Sequence, residues 1–209
     1  MFTGIIEGRA SLLNAERRTG LFSYTFNFPS LPSTLRIGDS IAINGACLTV
    51  THFSDTHATF DLMKETLAIT TLGELSEGGE VNFEHAARFG DSIGGHAVSG
   101  HIHTTAQLVT RSPSENNLCL EFQVPDAYKK YIFDKGYIAV AGASLTIGSV
   151  TSHGFTVNLI PETLRITIFD SLKVGDRVNL EIDTQTQTLV DTLERLLPEL
   201  VKRQLTALE

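Results

Sequence analysis

The 209-residue sequence predicts an all-β protein, one small antiparallel barrel written twice by internal duplication, followed by a C-terminal α-helix. Three observations lead there. The chain repeats itself at an offset of 97 residues. Each copy is a series of short Val-, Ile-, Thr- and Phe-rich runs separated by turn residues. From about Gln185 the apolar spacing changes from strand-like to helical.

The repeat comes first, because it decides the architecture. Ala42–Val50 (AINGACLTV) is answered 97 positions later by Ala139–Ile147 (AVAGASLTI). Ile41–Thr49 and Ile138–Thr146 agree at six of nine positions, and LMKETLAIT from Leu62 agrees with LIPETLRIT from Leu159 at six of nine, too many for chance. LSEGGEVNFE from Leu75 extends the match to LKVGDRVNLE from Leu172. At the start of each copy the offset is 96, so that Gly4 in FTGIIEG falls on Gly100 in VSGHIHT. That change implies a one-residue insertion between the first and second strands. Each copy is the size of one small domain, and the join lies near Glu84–Gly95, where Gly90, Gly94 and Gly95 supply turn chemistry. The expected units are therefore 1–95, 96–184 and a C-terminal segment 185–209.

Within each copy, SIAINGACLTV, ATFDLM and GFTVNLI read as strands, with IGD, SDTH, SEGGE, SPSENN, TSHG and VGD as turns. Short strands at this spacing suit a barrel, which leaves no exposed sheet edge. KETL and PETL each open a short helical turn. In the C-terminal segment Leu189, Leu193, Leu196, Leu197, Leu200 and Leu205 recur near helical spacing, with Pro198 expected to kink the helix or mark its end. This apolar stripe has no partner helix in the chain. It could fold back on a barrel, but packing against copies of itself is the favoured reading.

Composition excludes several function classes. A net charge of −8 and a pI near 5.3 repel nucleic acid and anionic membrane surfaces. MFTGIIEGRA carries no secretory pattern, and no apolar run approaches the ~20 residues of a membrane span. The expectation is a cytoplasmic protein with Cys47 and Cys119 as reduced thiols.

Together MFTGIIE, NGACLTV, FDLMKETL, IGGHAVSGHI, GASLTI, LIPETLRIT and VNLEIDTQTQ make the chain resemble the riboflavin synthase α-chain family over nearly its whole length. The resemblance implies two tandem six-stranded Greek-key barrels and a C-terminal helix that joins three subunits. It implies a dismutation of two 6,7-dimethyl-8-ribityllumazine molecules, one giving a four-carbon unit to the other to yield riboflavin and 5-amino-6-ribitylaminouracil. No metal or organic cofactor is implied. A different reading on the same fold is a non-catalytic lumazine or flavin carrier. Those carriers look eroded in the second copy, whereas both GxxLT cores stand here.

Residue by residue, Cys47 is either a small buried apolar side chain or a thiolate able to engage an electrophilic ring; the resemblance favours the second. Cys119 has no such context and reads as packing. His101 and His103 would share one strand face, a spacing compatible with zinc, but no acidic or Cys ligand accompanies them and no metal is expected. The resemblance places His101 in the site, where a neutral imidazole suits proton removal from the acidic 7-methyl of a lumazine; His103 reads as surface. Ser40, Thr49, Thr146 and Asp183 would bond the ligand or simply face water, and the resemblance places Ser40, Thr146 and Asp183 in or near the active site. It also implies that Phe2 closes over a ring.

The resemblance implies binding roles for Gly4, Ile5 and Ile6 and for Gly100, His101 and Ile102, whose backbone groups suit a pteridine amide. Cys47, Leu48 and Thr49 are matched by Ser144, Leu145 and Thr146. Asp61, Leu62, Met63, Lys64, Glu65 and Thr66 are matched by Asn158, Leu159, Ile160, Pro161, Glu162 and Thr163 for the ribityl chain. Lys135 corresponds to a basic position that reaches the neighbour's ligand. Where the family commonly reads D-G-x-S-L-T, this chain has Ala141, which would remove a carboxylate near the C-terminal pocket. Unequal pockets fit a reaction in which identical molecules play different parts, and Cys47 against Ser144 is the expected source of inequality.

Overall fold

Alternation of burial sets the strands. In His57–Met63 (HATFDLM) Ala58, Phe60 and Leu62 are buried while Asp61 and Met63 face outward, so one side of the strand lines a barrel interior and the other its outer wall. The computed structural model describes residues 1–18 and 20–206. Its first half contains β1 (Gly8–Arg18), β2 (Leu21–Asn27), β3 (Ser40–Ile43), β4 (Ala46–Phe53), β5 (His57–Met63) and β6 (Glu80–His85). Its second half contains β7 (Thr104–Pro113), β8 (Leu118–Gln123), β9 (Tyr137–Val140), β10 (Ala143–Val150), β11 (Gly154–Leu159) and β12 (Arg177–Ile182).

Each set closes into an antiparallel barrel of the same order, 1-2-5-4-3-6 and 7-8-11-10-9-12, so the two six-stranded Greek-key barrels are present. Even the irregularities are duplicated: the β1–β2 register shifts between Leu12 and Asn14, and the β7–β8 register between Leu108 and Thr110. KETL and PETL open short helices, α1 (Lys64–Ile69) and α3 (Pro161–Ile166), while α2 (Asp126–Lys129) follows β8. Thr70 and Thr167 finish α1 and α3 alike, each hydroxyl donating to the carbonyl four residues back at 2.6 Å.

The barrels are clipped together about a local twofold relation by two fully buried amides. Asn82 Nδ2 donates to the Ala141 carbonyl at 2.9 Å, and its Oδ1 accepts from Ile168 N at 2.8 Å. Asn179 does the same in reverse, donating to the Asn44 carbonyl at 2.9 Å and accepting from Thr71 N at 2.7 Å. Both side chains have every polar atom satisfied, which is the condition for burying an amide without penalty. At the centre of this interface the turns Asn44-Gly45 and Ala141-Gly142 meet, with all four residues at positive φ.

That placement corrects the reading of Ala141. Its side chain is 1% exposed at the barrel–barrel interface, at φ +45° in a two-residue hairpin turn. A carboxylate in the family pattern would serve the turn, since Asp tolerates the left-handed region far better than Ala.

α4 (Thr184–Thr206) runs through Pro198 rather than ending there; loss of one backbone donor is tolerated because the turns on either side keep theirs. Asp183 Oδ2 caps it, accepting from Thr186 N and Thr186 Oγ1, both at 2.8 Å. One edge of α4 lies on the second barrel: Gln187 bonds His103, Val190 packs against the core, Tyr131 donates to Asp191, and Lys130 pairs with Glu194. The Leu189, Leu193, Leu196 and Leu197 face is left exposed. The side chains of Leu200 and Leu205, and residues 207–209 of the C-terminal segment, lie outside the described residues. Among the described residues no helix is long and apolar enough to cross a membrane.

Candidate active site

The strands that carry the repeated motif present their alternate residues on the outer walls of the barrels. In the first barrel Ser40 pairs with Thr49 and Ala42 with Cys47 across β3 and β4. Cys47 is half-buried, Thr49 exposed, and on the adjoining strand Asp61 and Met63 are exposed, Asp61 accepting from Ser23 Oγ. Leu48 and Leu62 point the other way, into the core, as does Ile102. Lys64 and Glu65 are exposed at the start of α1, and Thr66 is half-buried. Lys135, at φ +64°, is exposed in the turn before β9.

A backbone segment lies along this wall. Gly100 accepts at its carbonyl from Cys47 N at 2.9 Å, and its own N–H donates to Glu181 Oε2 at 3.0 Å. Gly100 sits at φ +85°, and a Cβ there would lie 2.5 Å from Cys47 Cβ and 2.9 Å from the Phe2 ring. Only glycine permits both that backbone conformation and that approach. Phe2, 1% exposed, is a wedge between the barrels beneath this segment, bonded to Val98 by an isolated bridge. His101 follows Gly100 and is exposed. Residues 101–103 precede β7 rather than belonging to it, so His101 and His103 do not share a strand face. His103 is half-buried: its Nδ1 accepts from Ile182 N at 3.2 Å and its Nε2 meets Gln187 at 2.9 Å. It ties barrel to helix. Among the described residues no group of three His, Cys, Asp or Glu side chains is placed to hold a metal ion.

The second barrel repeats the arrangement. Tyr137 pairs with Thr146 and Ala139 with Ser144 across β9 and β10. Asn158 and Ile160 are exposed on the next strand and its end, Leu159 and Leu145 pack toward the core, and Pro161, Glu162 and Thr163 open α3. The segment along this wall is Gly4–Ile6. Ser144 N donates to the Gly4 carbonyl at 2.8 Å, a Cβ on Gly4 would lie 2.5 Å from Ser144 Cβ, and Glu84 accepts from Thr3 and Gly4 as Glu181 does from Ser99 and Gly100. The walls are therefore crossed over. The chain's first residues complete the second barrel's site and place Ile6 in its core, while the residues before β7 complete the first barrel's site and place Ile102 in its core. Burial pushes the Glu84 carboxyl above the usual carboxylate range, against the bonds from Thr3 and Gly4 that favour its ionised form.

Sequence reasoning missed His96. Its Nδ1 lies 2.6 Å from Ser144 Oγ, its ring stacks on Tyr137 at 5.2 Å, and it is 8% exposed. Burial lowers its pKa, against the pull of Asp183 and Glu181, so the imidazole is neutral at pH 7. Its presence in IGGHAVSGHI was the available signal, but no periodicity singled it out.

A cleft of about 1100 Å³ opens beside the first barrel, lined by Ile5, Ser40, Glu7, Arg36, His85 and Arg88 among others. It reaches Ser40 but not Cys47, Asp61 or His101. Burial raises the Glu7 carboxyl, but bonds from His85 N and Nδ1 outweigh it and hold it below its ordinary value.

Comparison with known proteins agrees with this duplication. A lumazine binding domain model matches twice, over residues 3–86 and 99–183. The riboflavin synthase of Escherichia coli (strain K12) is 50% identical over 199 residues, covering 94% of this chain and 93% of that protein. That of Mycobacterium tuberculosis (strain H37Rv) is 42% identical over 187 residues, covering 88% and 93%. A LumP chain crystallised with riboflavin superposes with a TM-score of 0.80 at 24% identity, over 88% of this chain and all of that one, and shares the fold. With two lumazine-binding repeats and such identity along almost its entire length, the chain belongs to the riboflavin synthase family.

Proposed function

We propose that the chain carries out the dismutation of two molecules of 6,7-dimethyl-8-ribityllumazine, giving riboflavin and 5-amino-6-ribitylaminouracil, as a cytoplasmic homotrimer. The observation that carries this is the pair of outer-wall sites with one backbone cradle and unlike side chains: Cys47, Ser40 and Asp61 in the first, Ser144, Tyr137 and Asn158 in the second. A reaction between two identical molecules needs two like cradles, and a division into donor and acceptor needs them to differ. Holding both rings together replaces an encounter in solution by an effectively unimolecular step, worth up to about 7–11 kcal/mol of barrier.

In this reading 1–95 and 96–184 are the two lumazine-binding units. Backbone groups of Gly100, His101 and Ile102, and of Gly4, Ile5 and Ile6, bond the ring edges. Thr49 and Thr146 bond the ligands from the neighbouring strand, and the 61–66 and 158–163 segments hold the ribityl chains. His101 takes a proton from the 7-methyl in the first site, Cys47 engages the ring, and Ser40 and Asp183 lie at the rims. The wedge position of Phe2 suits it to fix the Gly100 segment. The exposed leucine face of α4 is the trimer contact within 185–209, and Lys135 reaches a neighbour's ligand. Facing sites on adjacent subunits then bring two rings together.

Turnover followed by the absorbance of riboflavin tests this. The wild type converts the lumazine, and Cys47→Ser loses most of the rate; binding without product would instead mark a carrier. Sedimentation of a chain ending at Gln185 is expected to show monomers with little activity.

A further inference from the structure

The two sites differ by more than one side chain, because each contains a single histidine and the two histidines are not equivalent. His101 of the first site corresponds to Ile5 of the second by the 96-residue offset, so His96 is not its counterpart. His101 is exposed, with its backbone N–H on Ser99 Oγ at 3.1 Å. His96 is buried, held by the Tyr137 stack, with Nδ1 at 2.6 Å from the very hydroxyl that stands where the first site has its thiol.

We propose that His96 is a positioning residue for Ser144, locking its hydroxyl as a hydrogen-bond acceptor toward the ring of the ligand in the second site; the inference rests on the synthase reading above. In the neutral imidazole Nδ1 accepts a hydrogen bond from the Ser144 hydroxyl, which leaves the Oγ lone pairs for the ligand and none of the hydroxyl's donor capacity. Three constraints keep the pair in register. Ser144 N is tied to the Gly4 carbonyl at 2.8 Å, the His96 backbone N–H donates to the Thr3 carbonyl at 3.2 Å, and Gly95 passes so close that a Cβ on it would meet Thr3 O at 2.3 Å and Ser144 Cβ at 2.6 Å. The groups that face the imidazole are Tyr137 by stacking and Asp183 and Glu181 by charge. Those two carboxylates favour a proton on the ring while burial opposes it, and a protonated ring reverses the bond: Nδ1–H donates to Ser144 Oγ and the hydroxyl hydrogen is freed as a donor. The second site therefore meets a lumazine with an oriented hydroxyl, and the first meets it with a thiol and a free imidazole.

A double-mutant cycle decides it. Steady-state turnover is measured for wild type, His96→Gln, His96→Asn, Ser144→Ala and His96→Gln with Ser144→Ala, with thermal midpoints recorded for each. If His96 acts through Ser144, His96→Gln lowers kcat by about tenfold, and adding it to Ser144→Ala costs little more. His96→Asn, whose amide can occupy the Nδ1 position, recovers part of the loss while Gln does not. An acid limb of kcat is expected in wild type and should disappear in Ser144→Ala. Multiplicative losses in the double variant, or equal losses in Asn and Gln that follow the thermal midpoints, overturn the proposal. Absence of turnover in the wild type itself would instead strike the synthase reading. The His96–Ser144 bond is then tested by the NMR shift of His96 Nδ1 in wild type and Ser144→Ala, which must change if the pair exists in solution.

Discussion

Replacing Gly4 by Ala tests the crossed-over construction most sharply, since the residue lies near the N-terminus and its partner is 140 positions away. Gly4 sits at φ +74°, and the added Cβ would lie 2.5 Å from Ser144 Cβ, 2.7 Å from Ser144 N and 3.0 Å from Ser144 Cα. The left-handed conformation costs Ala about 1–2 kcal/mol. Forcing the strand back to relieve the overlap adds about 1–3 kcal/mol, and the bond from Ser144 N to the Gly4 carbonyl adds about 1 kcal/mol when it breaks. The sum, on the order of 3–6 kcal/mol, is less than the stability of most domains, so the variant is expected to fold. Gly38→Ala is the control, since Gly38 is at φ +93° with nothing within 4 Å of its Cβ position and should lose only the conformational part. Urea midpoints of the three proteins measure the costs, and fluorescence titration with the lumazine measures occupancy. Gly4→Ala should lose several times as much stability as Gly38→Ala and bind one ligand per chain where the wild type binds two. Equal losses in the two variants, or full stoichiometry in Gly4→Ala, would refute the claim that Gly4 builds the second barrel's site.

Other consequences follow from single contacts. Ala141→Asn relieves a left-handed alanine and offers the turn the acceptor that Asn44 Oδ1 gives Asn82 N at 2.8 Å, so the urea midpoint should rise by an amount equal to about 1 kcal/mol. Asn82→Ala strands the Ala141 carbonyl and Ile168 N–H at the buried interface and should cost about 3 kcal/mol by the same measurement. Asp183→Ala removes the α4 cap and should cost about 1 kcal/mol of helix stability, read by circular dichroism. His96 has a folded-state pKa below its unfolded value, so the unfolded chain binds its proton first on acidification. Its contribution is present above the unfolded pKa of about 6.5 and is lost as the pH falls from there through the lower folded-state pKa; the difference in urea midpoint between pH 8 and pH 5 should shrink in His96→Gln.

Much of this molecule was legible because duplication writes everything twice. AINGACLTV and AVAGASLTI announced β3–β4 and β9–β10, and the strict alternation of strands already implied that Cys47 and Ser144 share a face with Thr49 and Thr146. What stayed hidden is three-dimensional. Similarity between FTGIIEG and VSGHIHT shows that Gly4 and Gly100 are equivalent but not that each serves the other's barrel, which follows from the Asn82 and Asn179 clip setting the barrels face to face. His96 escaped because its partner Ser144 lies 48 positions away, and His103 because its partners Gln187 and Ile182 come from the far end of the chain. Ala141 was misread because a turn residue and a pocket residue look alike in a one-dimensional pattern; only φ +45° separates them. The C-terminal helix was expected to prefer copies of itself, and its periodicity gave no sign that Asp191 and Glu194 would bind Tyr131 and Lys130 along one edge.

The central claim is that ligands lie on the outer walls of both barrels in unlike company. A crystal structure with a non-reacting lumazine analogue tests it directly. The account predicts one ring against Cys47 and the Gly100–Ile102 backbone and a second against Ser144 and the Gly4–Ile6 backbone. A ligand confined to the cleft between Ser40 and His85, with both walls bare, would contradict it.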